Sequence, residues 1–324
     1  MPGKSLFRTF FLIFSVLFFG LRLEVGGDWD SYLSMYQIIN RMIDEGQYLM
    51  GVEPLYIMLN ILSATIGGDI YFVNFVCSSI LFLGFWFFCK TFEINFYYFL
   101  FLLSGSVLFV LGMGFVRQSA AVGMFLLAVS SIHIGSRKRG LFFFLCSIFF
   151  HYSAAFAICL YLFLAFRFKN SLLIALFVFS LGFGVFYNKM GVYSSGQYES
   201  SGVYLRLFVP VTLSVFHIVC CSFLNVRRDS FIRIFLHRLA FLYAAFLCLA
   251  LVNSTIVDRM SFYFSPFTIL FFVDDLKRLD GVFRYFFVVV VSFLSFLSFF
   301  IWIYFSKNAI DGWLNYKNII LVSL

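Results

Sequence analysis

The sequence predicts an all-α, polytopic integral membrane protein. Hydrophobic residues make up 63 % of the chain and charged residues only 12 %, about half the charge of a typical soluble domain. Apolar runs of about 17–25 residues recur from one end to the other, which is the length that a helix needs to cross hydrocarbon. They lack the strict alternation of membrane-barrel strands. We therefore predict one transmembrane domain over residues 1–324, with about 9–11 transmembrane helices, some of them short or re-entrant.

The first apolar run, at about 6–23, follows Lys4 and Arg8. No small-residue cleavage site comes after it, so we predict an uncleaved span with a cytoplasmic N-terminus. The next segment, 24–69, holds seven acidic residues against the single Arg41. Cytoplasmic loops are enriched in Lys and Arg, so this acidic segment is predicted to lie on the outer, periplasmic side.

An amphipathic helix is predicted inside the outer segment, from about Trp29 to Asp44, with Asp28 as its N-cap. Apolar side chains recur there at steps of three and four residues, which is one face of a helix at the membrane surface. They are Trp29, Tyr32, Tyr36, Ile39 and Ile43. The apolar run 55–66 is too short for a full span and is predicted to be interfacial or re-entrant.

The remaining predicted spans are separated by short clusters of Lys and Arg, which mark cytoplasmic loops. The spans lie at about 70–89, 95–112, 116–134, 171–187, 205–224, 235–256, 261–273 and 285–304. The run 141–166 has basic residues on both flanks, so we expect two half-helices that turn near His151-Tyr152-Ser153 and line a cavity. This topology places the 188–204 loop and the tail from Ser306 on the outer side. Most of the unusual polar residues also lie on that side.

Arg117 follows a Gly-x-Gly turn and opens a predicted helix together with Gln118. Backbone N–H groups at a helix start favour an anion, and an arginine adds a charged planar fork, so the pattern is typical of phosphate or diphosphate binding. An interfacial arginine that reaches lipid headgroups is the alternative. Arg259 and Arg206 also lie at the ends of predicted spans, where a substrate contact, an ion pair or a headgroup anchor would explain them.

His151 separates two strongly apolar stretches, and an ionisable group at membrane depth indicates a functional cavity by default. It is a candidate general base, with His217 as the alternative, although either histidine can instead bond across helices in the core. The seven cysteines include no CxxC pair and predict neither a disulfide framework nor a metal site. No phosphate-loop or dinucleotide signature is present, so we expect no cofactor.

Carboxylates and aromatic rings adjoin in the outer segment, as Asp28 with Trp29 and Glu53 with Tyr56. Sugar sites favour this pairing, but an N-cap and an interfacial aromatic belt explain the same residues. Because Glu53 precedes Pro54, its backbone should be extended, which would let its carboxylate face an outer vestibule.

Several of these strings occur in one order along the chain. They are Asp28-Trp29-x-x-Tyr32, Glu53-Pro54-Leu55-Tyr56, Gly114-Phe115-Val116-Arg117-Gln118, His151-Tyr152-Ser153-Ala154, Asp258-Arg259 and Trp313-Leu314-Asn315-Tyr316. The ordered set resembles the EpsG family of bacterial polysaccharide polymerases, which are relatives of the Wzy O-antigen polymerases. The resemblance covers nearly the whole chain.

The resemblance implies a GT-C-like glycosyltransferase of the bacterial inner membrane. Such an enzyme joins repeat units carried on undecaprenyl diphosphate, at the periplasmic face, into O antigen, capsule or exopolysaccharide. By the same resemblance, Arg117 and Arg259 would hold the diphosphate, and His151 or a nearby carboxylate would deprotonate the acceptor hydroxyl. Glu53 or Asp28 would stabilise the oxocarbenium-like anomeric centre. The other expected substrate contacts are Gln118, Arg206, Trp29, Tyr32 and Tyr56.

The expected partners are undecaprenyl-diphosphate-linked oligosaccharide and membrane lipid, with a chain-length regulator and a flippase as candidate protein partners and no nucleic acid. Two alternative functions compete: a flippase or transporter of lipid-linked oligosaccharide, and a membrane acyltransferase that modifies glycans. A flippase needs polar residues along its whole transit path and usually shows repeat symmetry. Here the polar residues gather on one side and no repeat is evident, so the polymerase is the preferred prediction.

Overall fold

The computed structural model of the protein describes residues 2–46, 51–105, 107–165, 200, 202–223 and 231–322. In this part of the chain the structure is almost entirely helical, with one two-stranded ladder. The helices are numbered in chain order. They are α1 (Pro2–Gly20), α2 (Trp29–Asp44), α3 (Pro54–Thr65), α4 (Asp69–Thr91), α5 (Phe96–Ser104), α6 (Val116–His133), α7 (Arg137–Phe150), α8 (Ser153–Ala165), α9 (Val203–Phe223), α10 (Phe231–Val252), α11 (Ser254–Leu276), α12 (Gly281–Phe305), α13 (Lys307–Gly312) and α14 (Ile319–Val322).

The protein is an all-α polytopic membrane protein. Five of the described helices are long and apolar enough to cross a membrane, and they are α4, α9, α10, α11 and α12. Shorter apolar helices occur at Phe7–Gly20, Pro54–Thr65 and Ser153–Ala165. The total of about 9–11 spans stays a prediction. The predicted span at 171–187 and most of the 188–204 loop lie outside the described residues.

Contacts between residues divide the described chain into two compact units, each assembled from segments that are distant in sequence. The first unit comprises 1–91, 109–151 and 303–324, and the second comprises 92–108 and 152–302. The single domain expected over the whole chain stays a prediction.

In the first unit, α6 is packed closely between α4 and α7. A Cβ atom on Gly84 of α4 would come within 2.7 Å of Gly123 Cα on α6, so only glycines allow the two backbones to approach this closely. On the other side of α6, the Ser147 hydroxyl of α7 donates a hydrogen bond of 2.7 Å to the Ala121 carbonyl. This packing fixes the N-terminal end of α6, where Arg117 lies.

In the second unit, α11 is buried and α12 is largely exposed. α11 packs against α5, α8, α9 and α10, and nearly every residue from Thr255 to Phe272 is buried. α12 exposes large apolar side chains such as Phe283, Phe286 and Phe293, as expected of a helix that faces lipid.

Three predicted spans differ from the structure. The run 95–112 was predicted as one helix, but α5 ends at Ser104 and a separate π-helical turn occupies Val110–Gly114. The predicted span 235–256 runs past the end of α10 at Val252, because Asn253 is extended and caps the next helix. The third, 261–273, was predicted as a short span, but α11 has 23 residues, because the polar residues from Ser254 to Arg259 continue the helix. Ser254 and Asp258 of this stretch hydrogen-bond to Ser200, so polarity does not end the helix there.

The described parts of the acidic segment 24–69 fold largely as predicted. Helix α2 has the expected bounds and buries Tyr32, Tyr36 and Ile39, whereas Ile43 of the same stripe is 38 % exposed. Asp28 precedes the helix, but its side chain makes no capping hydrogen bond, so the predicted N-cap interaction is wrong. The run 55–66 is the 12-residue helix α3, too short for a full span.

The run 141–166 is interrupted where expected. α7 ends at Phe150, His151 has an extended backbone with φ −159° and ψ 122°, and α8 begins at Ser153. The predicted break near His151 is therefore confirmed, while the re-entrant course of the two halves stays a prediction.

The C-terminal tail packs against the end of α1. A two-residue strand β1 (Arg22–Leu23) pairs antiparallel with β2 (Lys317–Asn318). The Tyr316 ring stacks on Phe18 at 4.4 Å between centroids, and its hydroxyl donates to the Phe18 carbonyl at 2.6 Å. The tail thereby holds the chain between α1 and α2 in place.

Candidate functional site

In the first unit, the Glu53 carboxylate joins Arg117 to His151. Glu53 Oε2 accepts a hydrogen bond from Arg117 Nη1 at 2.7 Å, and Glu53 Oε1 lies 2.8 Å from His151 Nδ1. Glu53 is fully buried, and His151 is 8 % exposed. The Arg117 side chain keeps 21 % exposure. One buried carboxylate therefore serves two basic groups, and one of these reaches open space.

The three residues meet because each lies at a helix end. Glu53 has the extended backbone predicted for a residue before proline, with φ −70° and ψ 132°, and immediately precedes α3. Arg117 is the second residue of α6, which begins where Phe115 leaves helical geometry. His151 ends α7, and its backbone N–H donates to the Ser147 carbonyl at 3.0 Å. Helix ends leave side chains and backbone groups available for such a cluster.

Two aromatic rings flank the Arg117 guanidinium. Its Cζ atom lies 5.8 Å from the centre of the Tyr32 ring and 5.7 Å from that of Tyr56, within the range of cation–π attraction. The rings themselves meet edge to face at 6.2 Å. Burial raises the pKa of Tyr32 above its ordinary value of 10.0, an effect that the charge of Arg117 partly offsets. The phenol is therefore neutral at physiological pH and can donate a hydrogen bond.

Arg22 is a buried basic residue that the sequence analysis missed. It is only 2 % exposed, and it donates from Nε to the Val25 carbonyl at 3.0 Å and from Nη1 to the Phe19 carbonyl at 2.7 Å. It thus binds a carbonyl in the last turn of α1. Its position inside the first predicted span, 6–23, was the signal that could have identified it, since ionisable groups are rare there.

Two arginines lie near the same pair of tyrosine rings in the first unit. Arg22 lies within electrostatic range of Tyr32 and Tyr56, the same rings that flank Arg117. Among the described residues, no carboxylate lies within ion-pair distance of Arg22. Glu53 pairs with Arg117, whereas backbone carbonyls hold Arg22, and Asp28 is a second carboxylate within electrostatic range of Tyr32. The two guanidinium groups can attract an anionic ligand.

The hydrogen bond to Glu53 also determines what His151 can do. A carboxylate only accepts hydrogen bonds, so we assign the ring proton to Nδ1. In this tautomer Nε2 carries the lone pair and is the basic nitrogen. A carboxylate that orients a histidine in this way is the arrangement of a general base with its positioning group.

The second unit contains a different arginine–carboxylate pair. Arg206 Nε and Nη2 donate to the two oxygens of Asp258 at 2.6 and 2.7 Å, which is a bidentate pair. The Ser200 hydroxyl bridges the same two side chains, at 2.5 Å from Arg206 Nη2 and 2.7 Å from Asp258 Oδ2. The pair ties α9 to α11. Asp258 is thus paired with Arg206, which lies 52 residues earlier in the chain, so the sequence alone could not show this pairing.

The other predicted site residues are distributed over both units. In the first, Trp29 lies 6.0 Å from Tyr71 between ring centres, Asp28 lies within electrostatic range of Tyr32, and Gln118 is buried next to Arg117. In the second, Arg259 lies in the second turn of α11 and is partly buried. The first unit therefore brings together Glu53, Arg117, His151, Tyr32 and Tyr56, while Arg206 and Arg259 belong to the second.

The sequence profile of the EpsG family matches residues 5–318, nearly the whole chain. No curated protein and no solved structure matches it. The matched range contains every residue of the two clusters described above. The chain therefore belongs to the EpsG family.

Proposed function

We propose that this protein is a membrane glycosyltransferase that polymerises oligosaccharide repeat units carried on undecaprenyl diphosphate into a surface polysaccharide. Membership of the EpsG family supports a polysaccharide polymerase-like membrane protein. The observation that carries the finer proposal is the buried Glu53 carboxylate between Arg117 and His151, beside the rings of Tyr32 and Tyr56.

His151 is the proposed general base. Its Nε2 atom accepts the proton of the acceptor hydroxyl as that oxygen forms a bond to the anomeric carbon of the donor. The bond between this carbon and the diphosphate oxygen breaks, and its electron pair leaves with undecaprenyl diphosphate. Glu53 holds the ring and stabilises the imidazolium that forms. Glu53 is therefore a positioning residue, which refines its predicted role at the anomeric centre.

Arg117 is the proposed contact for the leaving diphosphate, and Arg22 adds a second positive charge. Charge develops on the diphosphate oxygen as the sugar leaves, and fixed guanidinium groups in a water-poor site stabilise it. The remaining exposure of Arg117 leaves room for a ligand. Gln118 and Arg259 stay proposed substrate contacts, whereas we assign Arg206 a structural role because Asp258 and Ser200 occupy its fork.

The aromatic rings are the proposed sugar contacts. Tyr32 and Tyr56 present rings beside the guanidinium, and Trp29 lies one helical turn before Tyr32 on α2. A pyranose ring has an apolar face that packs on such rings, and its hydroxyls need polar partners. Asp28 is the proposed carboxylate for those hydroxyls, at the start of the same helix.

The proposed orientation places the segment 24–46 outside the cytoplasmic membrane of a bacterium, with the N-terminus inside. It is supported by the acidic charge of that segment and the basic cluster Arg137-Lys138-Arg139 between later helices. In a Cys248→Ser background, a membrane-impermeant thiol reagent should label Asp44→Cys in intact cells and label Lys138→Cys only after permeabilisation. The opposite labelling would refute this orientation.

The enzymatic proposal is tested in a strain that lacks the gene. The strain is complemented with the wild type, Arg117→Ala or His151→Ala, and its surface glycan is separated by size. We expect single repeat units only from both variants, at wild-type protein levels in the membrane. Arg41→Ala and His133→Ala are the matched controls, because both residues are exposed, and they should give full-length glycan.

Other outcomes separate the alternatives. Full-length glycan from Arg117→Ala and His151→Ala would refute this site. Loss of every surface form in the deletion strain, with lipid-linked units retained inside the cell, would identify a flippase instead. Unchanged glycan length with loss of an acyl substituent would identify an acyltransferase.

A further inference from the structure

We propose that the second unit contains a zinc site formed by His217, Cys221 and His237. A potential ligand atom from each residue lies within 4.8 Å of those of the other two. His217 and Cys221 are four residues apart on α9, so they share one face of that helix, and His237 comes from α10. The three side chains are 7–8 % exposed, so they are buried in the helix bundle.

The geometry around His217 is that of a metal ligand with a supporting carboxylate. His217 Nδ1 lies 2.7 Å from Asp275 Oδ2, and Asp275 is near the end of α11. A histidine that binds a metal almost always donates its other ring N–H to such a carboxylate. With the proton on Nδ1, Nε2 carries the lone pair, and Cys221 Sγ lies beside the ring, 3.5 Å from Nε2 and 3.9 Å from Nδ1.

The Nε2–Sγ separation is close to that of two tetrahedral zinc ligands, and binding requires the Cys221 side chain to turn from beside the ring toward the Nε2 lone pair. Zinc binds thiolate sulfur at about 2.3 Å and imidazole nitrogen at about 2.0–2.1 Å, which at tetrahedral angles separates the two ligand atoms by about 3.6 Å. The imidazole rings of His217 and His237 are 5.7 Å apart between centroids, and His237 is the proposed third protein ligand. A water molecule is the expected fourth ligand.

The charges favour the same ion. A Zn²⁺ ion, the Cys221 thiolate and the Asp275 carboxylate sum to zero, which is the favourable balance for a buried site. The nearby Arg278 pairs with Asp274 at 2.7 Å and leaves Asp275 to His217. Mixed sulfur and imidazole ligands select zinc over magnesium or calcium. Binding releases the thiol proton of Cys221, so one proton is displaced for each ion bound.

The expected role is structural, because the ion would tie α9 to α10 beside the end of α11. The sequence does not reveal this site, because it contains no CxxC pair and the third ligand comes from another helix. The proposal is independent of the polymerase activity, since none of these residues belongs to the Glu53 cluster.

The test is metal analysis of the full-length protein in detergent, purified without chelators and with a tag that contains no histidine. We expect about one zinc per chain in the wild type and at least a tenfold loss in affinity in Cys221→Ser. Asp275→Asn should weaken zinc binding by about 10–100-fold while keeping all three ligands. Cys159→Ser and Cys248→Ser are matched controls for a buried and an exposed cysteine of the same unit and should bind normally.

Cobalt provides a second readout that does not depend on retained zinc. Co²⁺ added to metal-free wild type should give thiolate-to-cobalt charge-transfer absorption, and Cys221→Ser should lack it. Added Zn²⁺ should raise the melting temperature of the wild type but not that of Cys221→Ser. The proposal is overturned if the wild type binds neither ion, or if Cys221→Ser gives the same absorption and the same stabilisation.

Discussion

Each unit contains a buried arginine–carboxylate pair that joins helices remote in sequence, but the two pairs differ in how they use their charges. The two oxygens of Asp258 accept hydrogen bonds from Nε and Nη2 of Arg206, and the Ser200 hydroxyl bonds to both side chains. Glu53 takes one nitrogen of Arg117 and gives its other oxygen to His151. In the Arg206–Asp258 pair both carboxylate oxygens bind the arginine, whereas in the Arg117–Glu53 pair the carboxylate is shared with a titratable group.

The difference indicates which pair supports structure and which supports chemistry. A bidentate pair fixes two helices and occupies both oxygens of its carboxylate, which leaves it less capacity for a ligand. A shared carboxylate leaves an arginine partly exposed between two aromatic rings and a histidine with a defined tautomer. Four sets of substitutions test this distinction, from the largest expected effect to the smallest.

Glu53→Gln should have the largest effect. Gln can donate as well as accept, so it no longer fixes the Nδ1 tautomer of His151, and it leaves Arg117 without its counter-ion. We expect polymer formation to fall by about 10²–10⁴-fold, the usual size of a general-base contribution. The rate is measured in membranes with a lipid-linked repeat unit, together with its pH profile. Glu45→Gln, an exposed position, is the control, and a wild-type rate and pH profile in Glu53→Gln would contradict the assigned role.

Apolar replacement of both partners sharpens the contrast between the pairs. Arg206→Met or Asp258→Leu alone leaves one buried charge unpaired and should destabilise the protein by about 3–5 kcal/mol, whereas the double variant should regain most of this stability. Thermal unfolding in detergent measures the effect.

The same double replacement at the other pair, Arg117→Met with Glu53→Leu, should not restore polymer formation, because function needs the charges themselves. Recovery of activity there would show that both pairs are structural. A double variant of Arg206 and Asp258 as unstable as either single variant would show that this pair does more than hold two helices together.

Arg117→Lys should have an intermediate effect. Lysine keeps the charge but loses the planar fork and its stacking between Tyr32 and Tyr56. Cation–π contacts contribute about 0.5–2 kcal/mol, so the apparent affinity for the diphosphate-linked donor should fall by about tenfold. The KM for the donor measures this, and Arg41→Lys is the exposed control. An unchanged donor KM would remove Arg117 from the proposed diphosphate site.

Tyr32→Phe should have the smallest effect. It keeps the ring beside Arg117 and removes one hydroxyl, for an expected loss of about 0.5–1.5 kcal/mol, or about two- to tenfold in rate. Burial raises the pKa of Tyr32, so the stability linked to its neutral form is present below pH 10.0 and is lost only above it. Activity should therefore be insensitive to this phenol between pH 6 and 9, roughly the working range. Tyr32→Leu should cost more, and equal losses in the two variants would contradict a role for the ring.

The sequence predicted some parts of this protein well, for physical reasons that are local. Helix α2 was predicted with its bounds because apolar spacing is a property of neighbouring residues. The break at His151 followed from the basic flanks of one long apolar run. The interruption of 95–112 was missed because Ser104-Gly105-Ser106 is only a short break in an apolar run, and hydropathy does not register a change of helix type.

Residue type and order were sufficient to predict an all-α membrane protein and to select Glu53, Arg117 and His151 as unusual. Membrane depth makes charge expensive, so each charge is informative by itself. Only the tertiary structure showed that one Glu53 carboxylate serves both basic groups, that Asp258 occupies Arg206, and that His217 lies beside Cys221 and His237. These are contacts between helices up to 98 residues apart, and packing of whole helices decides such pairs, whereas local spacing carries no information about them.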